Sequence, residues 1–416
     1  MRAYWQTLRT FNRDARLLLV SHFLIGLSYS GIYVVLFNLY LLRLDYGTEF
    51  IGLINGIAIM LHAFFCLPAG ILGGRWGTRR TVVIGALIAG VGLLLAPLGE
   101  FIPQSWQAIW FTSTYTLAWL GASFYLVNHT PFLISVTAPG ARNHVFSLLT
   151  ALLGTATFLG SLLGGALPGF FGVLLQIPAD QSAVYRASLV VGGVIFLLAV
   201  PVLLQTRAST IEQRVAPSTA VAVNAYTGIA LFAFGALLRV ASEGAGKSFF
   251  TVYLNTILQL PTATIGLLVA VGQLLAIPAA LLMPLLVGRW GRERTIGLAT
   301  AGMALSLIPM ALIAHWLVAA LSYMTLIALA AIARPAFLVY SQESVPAGWR
   351  ATMSGAVTMA NGVSMGGMAI GGGYLIAGLG YTTLFGLGAT LTAAGAFFFA
   401  VFLTGASRRL HPATPS

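Results

Sequence analysis

Four charged residues stand deep inside long apolar runs of this chain: Arg239, Glu243, Lys247 and Arg334. The first three follow one another at i, i+4 and i+8. Each step of four residues advances about 40° past a full helical turn, so on a helix the three share a stripe about 80° wide. Arg239–Glu243 and Glu243–Lys247 are then potential ion pairs on one face. A charge deep in a membrane span costs a few kcal/mol, so such groups face one another or a wet cavity. One carboxylate neutralises only one of the two flanking cations. Two readings stay open for the stripe, a structural ion cluster and a site for a ligand or a proton. Gly244 and Gly246 are expected to loosen the helix between the acid and the lysine. The pattern ending in Gly246-Lys247-Ser248 also resembles a relaxed phosphate loop, which would need a preceding strand that this apolar run does not supply.

Softer polar candidates are spread over other runs. Tyr29, Tyr33 and Tyr40 recur at helical spacing with Phe37. Asn55 and His62 share a face, seven residues apart. Asn128 and His129 are adjacent, and Gln273 and Asn361 each stand alone among apolar neighbours. The tyrosines are either packing or ligand contacts, and Asn128, His129, Gln273 and Asn361 are each either a ligand contact or an interhelical hydrogen bond. Histidine titrates near neutral pH, so His62 and His129 are alternatives to Glu243 as proton carriers. No nucleophile–base set, paired carboxylates or metal-ligand cluster is visible, so no catalysis, cofactor or metal is expected.

The elements that must position these residues follow from composition. Hydrophobic residues are 58% of the chain, charged residues 7%, and mean hydropathy is +0.93, whereas a soluble domain carries about 25% charge. The class is an all-α membrane protein, because the apolar runs are near 20 residues or longer and backbone in hydrocarbon must be satisfied internally. Twelve runs can be drawn: 17–42, 50–73, 81–99, 106–136, 145–171, 184–205, 225–254, 263–287, 295–314, 316–341, 351–377 and 382–404. Net charge is +12, and every basic residue except Lys247 is arginine. Sixteen arginines fall at alternate inter-run loops and the termini, against two (Arg43 and Arg186) at the other side. That distribution is a topology signal placing both termini in the cytoplasm, not the single basic stripe of a nucleic-acid partner. Cys66 is the lone cysteine, so no internal disulfide forms. The basic stretch Met1–Arg16 reads as a retained cytoplasmic segment, not a signal peptide.

The chain is also duplicated. Gly74-Arg75-Trp76-Gly77-Thr78-Arg79-Arg80-Thr81 returns 214 positions later as Gly288-Arg289-Trp290-Gly291-Arg292-Glu293-Arg294-Thr295. Residues 51–81 share twelve identities in thirty-one with 265–295, including Ile51-Gly52-Leu53 over Ile265-Gly266-Leu267. The expected architecture is two pseudo-symmetric six-helix bundles, 1–205 and 225–416, joined by a polar linker, 206–224. A second repeat aligns Ser147, Gly160, Gly164 and Gly165 with Ser354, Gly367, Gly371 and Gly372. Glycines four apart let membrane helices approach closely, either as plain packing or as an interface that rocks.

With these motifs the chain resembles the major facilitator superfamily of secondary transporters, over its whole length. The family's loop signature, roughly Gly-x-Leu-x-Asp-Arg-x-Gly-Arg-Arg, is matched by Gly70, Leu72, Arg75, Gly77, Arg79 and Arg80, with Gly74 at the acidic position and Gly288 repeating the departure. The resemblance implies cytoplasmic gating loops built on Arg75, Gly77, Arg79, Arg80, Arg289 and Gly291. With the acid missing, Arg75 is expected to meet helix-end carbonyls of the other half. The efflux-type signature is only partial at Gly160, Gly164, Gly165 and Pro168, and the fourth-span arginine of drug–proton antiporters is missing. The resemblance lines a central cavity with the first, fourth, seventh and tenth helices, which puts Arg334 beside the Arg239–Glu243–Lys247 stripe. The net charge of that cluster favours an anionic or acid-bearing small molecule.

The expected substrate-binding residues are Tyr29, Tyr33, Asn55, His129, Arg239, Lys247, Gln273, Arg334 and Asn361, with Glu243 coupling to protons. The alternatives are a multidrug–proton antiporter and, from another class, a membrane protein that does not transport. A monomer is expected, with membrane lipid around it, in the plasma (bacterial inner) membrane.

Overall fold

The computed structural model describes residues 12–137, 142–207, 223–345 and 350–403. Most of the expected linker, and the arginines at 2, 9, 214, 408 and 409, lie outside them. The described residues are helical with no strand. Twelve long helices carry the fold: α1 Arg13–Arg43, α2 Thr48–Trp76, α3 Thr78–Phe101, α4 Gln104–Ser135, α5 Leu148–Leu175, α6 Ser182–Leu204, α7 Tyr226–Thr256, α8 Thr262–Trp290, α9 Arg292–Leu312, α10 Trp316–Glu343, α11 Thr352–Leu379 and α12 Tyr381–Val401. Eleven of these are long and apolar enough to cross a membrane. The remaining one, α4, has the length, but its run of Thr, Ser, Trp and Tyr lowers its hydropathy.

The duplicated loop shows why its residues are what they are. Gly77 has φ 88° and Gly291 φ 81°, a backbone region that side-chain-bearing residues rarely enter. In both copies the threonine four residues on returns its hydroxyl to the glycine carbonyl, Thr81 Oγ1 to Gly77 O at 3.1 Å and Thr295 Oγ1 to Gly291 O at 2.8 Å. The turn and the start of the next helix are therefore one repeated device. Gly77→Ala and Gly291→Ala are each expected to lower stability by about 1–3 kcal/mol, measured by thermal unfolding in detergent. Gly297→Ala, at a helical position where a Cβ would meet nothing within 4 Å, is the control and should not lose stability.

Contacts divide the chain into two units. One comprises Met1–Tyr46, Phe64–Arg214 and Leu260–Val271; the other Gly47–Ala63, Val215–Gln259 and Gly272–Ser416. The expected halves are thus interleaved, since the first part of α2 clusters with the later helices and the first part of α8 with the earlier ones.

In the first unit α1 crosses α5 at Gly31 and Gly160. A Cβ on Gly31 would stand 2.4 Å from the Gly160 Cα. Here α1 widens into a π-helical stretch, Gly26–Tyr33. Ser28 ties it to α6 through the Gly192 carbonyl at 2.7 Å. The start of α8 lies on α5, where a Cβ on Gly266 would stand 2.6 Å from the Gly165 Cα. Tyr185 and Thr262 are hydrogen-bonded there at 2.6 Å.

The second unit repeats this theme. The start of α2 lies on α11, where a Cβ on Gly52 would stand 2.3 Å from the Ala369 carbonyl, and Thr48 donates to the Gly373 carbonyl at 3.2 Å. The duplicated Ile-Gly-Leu therefore marks two equivalent helix crossings. Of the α11 glycines in the second repeat, only Gly372 is closely packed, where a Cβ would meet Leu384 at 2.7 Å and Phe249 at 3.0 Å. A Cβ on Gly367 or Gly371 would meet nothing within 4 Å, whereas Gly362, Gly366 and Gly373 take the close contacts with α2. An aromatic core of Phe232, Phe337, Tyr340 and Phe399 holds α7, α10 and α12 together.

Candidate functional site

Glu243 is fully buried, and its carboxylate is the hub of the second unit's charges. Its Oε2 accepts from Lys247 Nζ at 2.9 Å and from Arg334 Nη2 at 2.5 Å. Arg239 Nη1 lies 3.9 Å from the other oxygen, Oε1. The three cations differ in access. Arg239 is 3% exposed, Lys247 34% and Arg334 55%. The buried arginine stacks over the Phe337 ring, 5.0 Å from its centroid, a cation–π contact that grows stronger where water is excluded. Neither Arg239 Nε, Arg239 Nη1 nor Glu243 Oε1 has a hydrogen-bond partner. The cluster therefore has a closed side, Arg239 with Glu243, and an accessible side, Lys247 with Arg334.

Local structure positions the cluster through a break in α7 at Val240, where the backbone leaves helical geometry (φ −94°, ψ 5°). The freed amide of Ser242 is capped by Thr392 Oγ1 of α12 at 2.9 Å. The loosening expected at Gly244 and Gly246 is absent, since Ala241–Thr256 is continuous helix. Those two glycines are packing sites instead. A Cβ would meet Met365 of α11 at Gly244 and Leu326 of α10 at Gly246.

The remaining candidates do not join this cluster. Asn55, in the second unit, donates to the Ile51 carbonyl of its own helix at 2.8 Å. Gln273 and Asn361 are half-buried, and Asn361 Oδ1 makes no hydrogen bond. Three belong to the first unit. The Tyr33 hydroxyl donates to two backbone carbonyls, Leu93 at 2.6 Å and Leu189 at 3.0 Å, and its ring is buried. Tyr29 is half-buried and edge-on to Trp119. His129 is buried beside His22 and Tyr125, with the two imidazoles stacked at 4.8 Å between centroids. Asn128 bridges α2 and α4 by donating to the Ala69 carbonyl at 2.9 Å.

At the loops, Arg75, Arg80 and Arg289 are exposed. Helix-end carbonyls are met by Arg79, not Arg75. Arg79 donates to Leu204 O at 2.8 Å and to Thr206 Oγ1 at 3.3 Å, both at the end of α6 in its own half. In the second copy Arg292 pairs with Glu343, and Tyr340 donates to Glu293 at 3.0 Å.

Sequence reasoning missed Phe337, Thr392 and His22. Phe337 was findable, being three residues past Arg334 and so on the same helix face. Thr392 and His22 carry no local signal, because their partners are distant in sequence.

Long apolar helices joined by a duplicated loop motif define a polytopic membrane protein. A family model described as Major Facilitator Superfamily matches residues 18–367 and 232–416, and the chain belongs to that family of transporters. Its multi-pass membrane character and its reading as a transporter, not an enzyme, follow from that membership.

Among solved structures, a mutant of the nucleoside transporter NupG superposes with TM-score 0.75 at 16% identity, covering 94% of this chain and 100% of that one. A D-xylose–proton symporter gives 0.72 at 14%, covering 94% and 97%. A POT family transporter in complex with 5-aminolevulinic acid gives 0.73 at 14%, covering 95% and 96%. At such identities the likeness is one of fold. By sequence, the multidrug resistance protein MdtH of Sodalis glossinidius (strain morsitans) is 29% identical over 138 residues, 32% of each chain. The match thus spans about a third of that relative's length.

Proposed function

We propose that this transporter carries a small organic anion or acid-bearing metabolite by alternating access, coupled to protons through Glu243. One observation carries the reading: three cations surround one carboxylate, and the two accessible ones, Lys247 and Arg334, are held by that carboxylate alone among the ion pairs of the described residues. An uncompensated cation in a low-dielectric site needs an anion. A substrate carboxylate or phosphate binding Lys247 and Arg334 displaces Glu243 from both. The freed carboxylate then takes up a proton, so binding of substrate and binding of proton support one another. Arg239, behind it, supplies standing positive charge that the substrate does not reach.

In the same reading the protein works as a monomer in a bacterial inner membrane, with the Gly-Arg-Trp-Gly loops and both termini in the cytoplasm. The glycine crossings of α2 on α11 and α8 on α5 are where helices slide when access alternates. A multidrug–proton antiporter is the second reading, favoured by the partial match to MdtH.

Ligand-induced stabilisation separates the two. A ligand at about a hundred times its Kd raises stability by about 2.7 kcal/mol. Pooled organic acids should raise the unfolding temperature of the detergent-purified protein, and Arg334→Gln should abolish the shift. Stabilisation by cationic drugs alone would replace the anion reading with the antiporter.

A further inference from the structure

The duplicated loop divides its own residues into two sets. Gly77 with Thr81, and Gly291 with Thr295, make the turn. At the two positions where the copies differ, Arg79 holds the end of α6, Arg292 pairs with Glu343, and Glu293 accepts from Tyr340. The other side chains that both copies retain do neither. These are Arg75, Trp76 and Arg80, repeated as Arg289, Trp290 and Arg294. All six are exposed, the tryptophans at 50% and 44%. Among the described residues, none of the four arginines has an ion pair, a hydrogen bond or an aromatic ring under its guanidinium, and neither indole has a ring contact. Packing does not account for a large ring half in solvent, nor internal pairing for arginines without acids. What both copies keep is therefore directed outward, to a partner the two loops share. Position limits that partner. Trp76 is the last residue of α2 and Trp290 the last of α8, and both helices are long and apolar enough to cross a membrane. Both indoles thus stand at the depth of the lipid headgroups, where tryptophan concentrates. The planar fork of an arginine donates two hydrogen bonds to one phosphate. No acid within residues 74–81 neutralises the first loop.

We propose that each Gly-Arg-Trp-Gly loop binds the headgroup of an anionic phospholipid, with the two arginines on its phosphate and the indole beside it at the boundary with the acyl chains. The sites are equivalent, one in each unit. Each ties the junction of two spanning helices, α2 with α3 or α8 with α9, to the membrane surface. The choice of an anionic lipid rests on the topology proposed above, which puts these loops at the cytoplasmic leaflet, where anionic lipids attract basic residues close to the membrane.

The test is native mass spectrometry of the detergent-purified full chain, titrated with phosphatidylglycerol, phosphatidylcholine or inorganic phosphate. One variant neutralises the first loop, Arg75→Gln with Arg80→Gln, and a second the other loop, Arg289→Gln with Arg294→Gln. Arg13→Gln with Arg207→Gln removes two exposed arginines outside the repeat and is the charge-matched control. The expected result is a tightly retained phosphatidylglycerol at each loop in the wild type and in the control. Each loop variant should lose the lipid at its own loop, with binding there weakened about thirtyfold, and keep the other. Should an arginine variant fail to fold, Trp76→Ala or Trp290→Ala should lower retention at the same loop. Phosphatidylcholine should be retained far more weakly, and inorganic phosphate should not displace phosphatidylglycerol. Equal retention of the two lipids, displacement by inorganic phosphate, an equal loss in the control, or unchanged retention in both loop variants would each overturn the proposal. Retention is read without transport, so this proposal and the role of Glu243 can fail separately.

Discussion

Glu243→Leu is expected to be the most destabilising single substitution in the second unit, lowering unfolding free energy by about 3–5 kcal/mol, the range found when one partner of a buried ion pair is removed. The reason is Arg239. It is 3% exposed and has no other acidic partner among the described residues, so deleting the carboxylate strands its charge against the Phe337 ring. Lys247 and Arg334 lose the same partner but have access to solvent or substrate, and they contribute less. Glu243→Gln should cost less than Glu243→Leu, since an amide oxygen still accepts hydrogen bonds. The double substitution Arg239→Leu with Glu243→Leu should recover much of the loss, because it removes the stranded cation together with its partner. Thermal and chemical unfolding of the wild type, Arg239→Leu, Glu243→Leu and the double substitution completes a double-mutant cycle. Equal stability of Glu243→Leu and the wild type would mean that the cluster is not the electrostatic hub its distances describe.

The second large effect is expected at Gly31. A Cβ there would lie 2.4 and 2.5 Å from backbone atoms of Gly160 and 2.8 Å from the Ser161 amide. Backbone cannot rotate away as a flexible side chain can, so α1 and α5 must separate. Overpacking of this kind costs about 1–3 kcal/mol, and Gly31→Val should lie at or above the top of that range. Gly169→Ala on α5, where a Cβ would meet nothing within 4 Å, is the matched control and should be neutral or slightly stabilising. Similar unfolding temperatures for Gly31→Val and Gly169→Ala would contradict the close crossing.

The parts of this fold legible in the sequence are those that the duplication writes twice. The Gly-Arg-Trp-Gly loop gave away a repeated turn, and the positive φ of Gly77 and Gly291 with their threonine partners is the physics behind it. Ile-Gly-Leu at 51 and 265 was legible as a repeat, but not as a helix crossing, because the partner glycine lies on a helix distant in sequence. The second glycine repeat marks close packing at Gly160, Gly164, Gly165 and Gly372, but not at Gly367 and Gly371. Identity at Gly367 and Gly371 does not tell which face of α11 meets α2, and the contacts fall on Gly362, Gly366 and Gly373.

Within the site, the i, i+4, i+8 spacing was enough to align Arg239, Glu243 and Lys247. Arg334 reached them only through the family resemblance, since no local pattern links α10 to α7. The break at Val240 was displaced from the glycines that signalled it, because the freed amide finds its cap in Thr392 on α12. His22 was passed over, although it is buried against His129, because its meaning depends on contact across a hundred residues of chain.

The most direct test of the central claim is proton movement in proteoliposomes containing either the wild type or Glu243→Gln, on adding pooled organic acids and then pooled cationic drugs. Proton flux with acids is expected in the wild type and none in Glu243→Gln. Flux with drugs only, or acid-driven flux that survives the substitution, would contradict it.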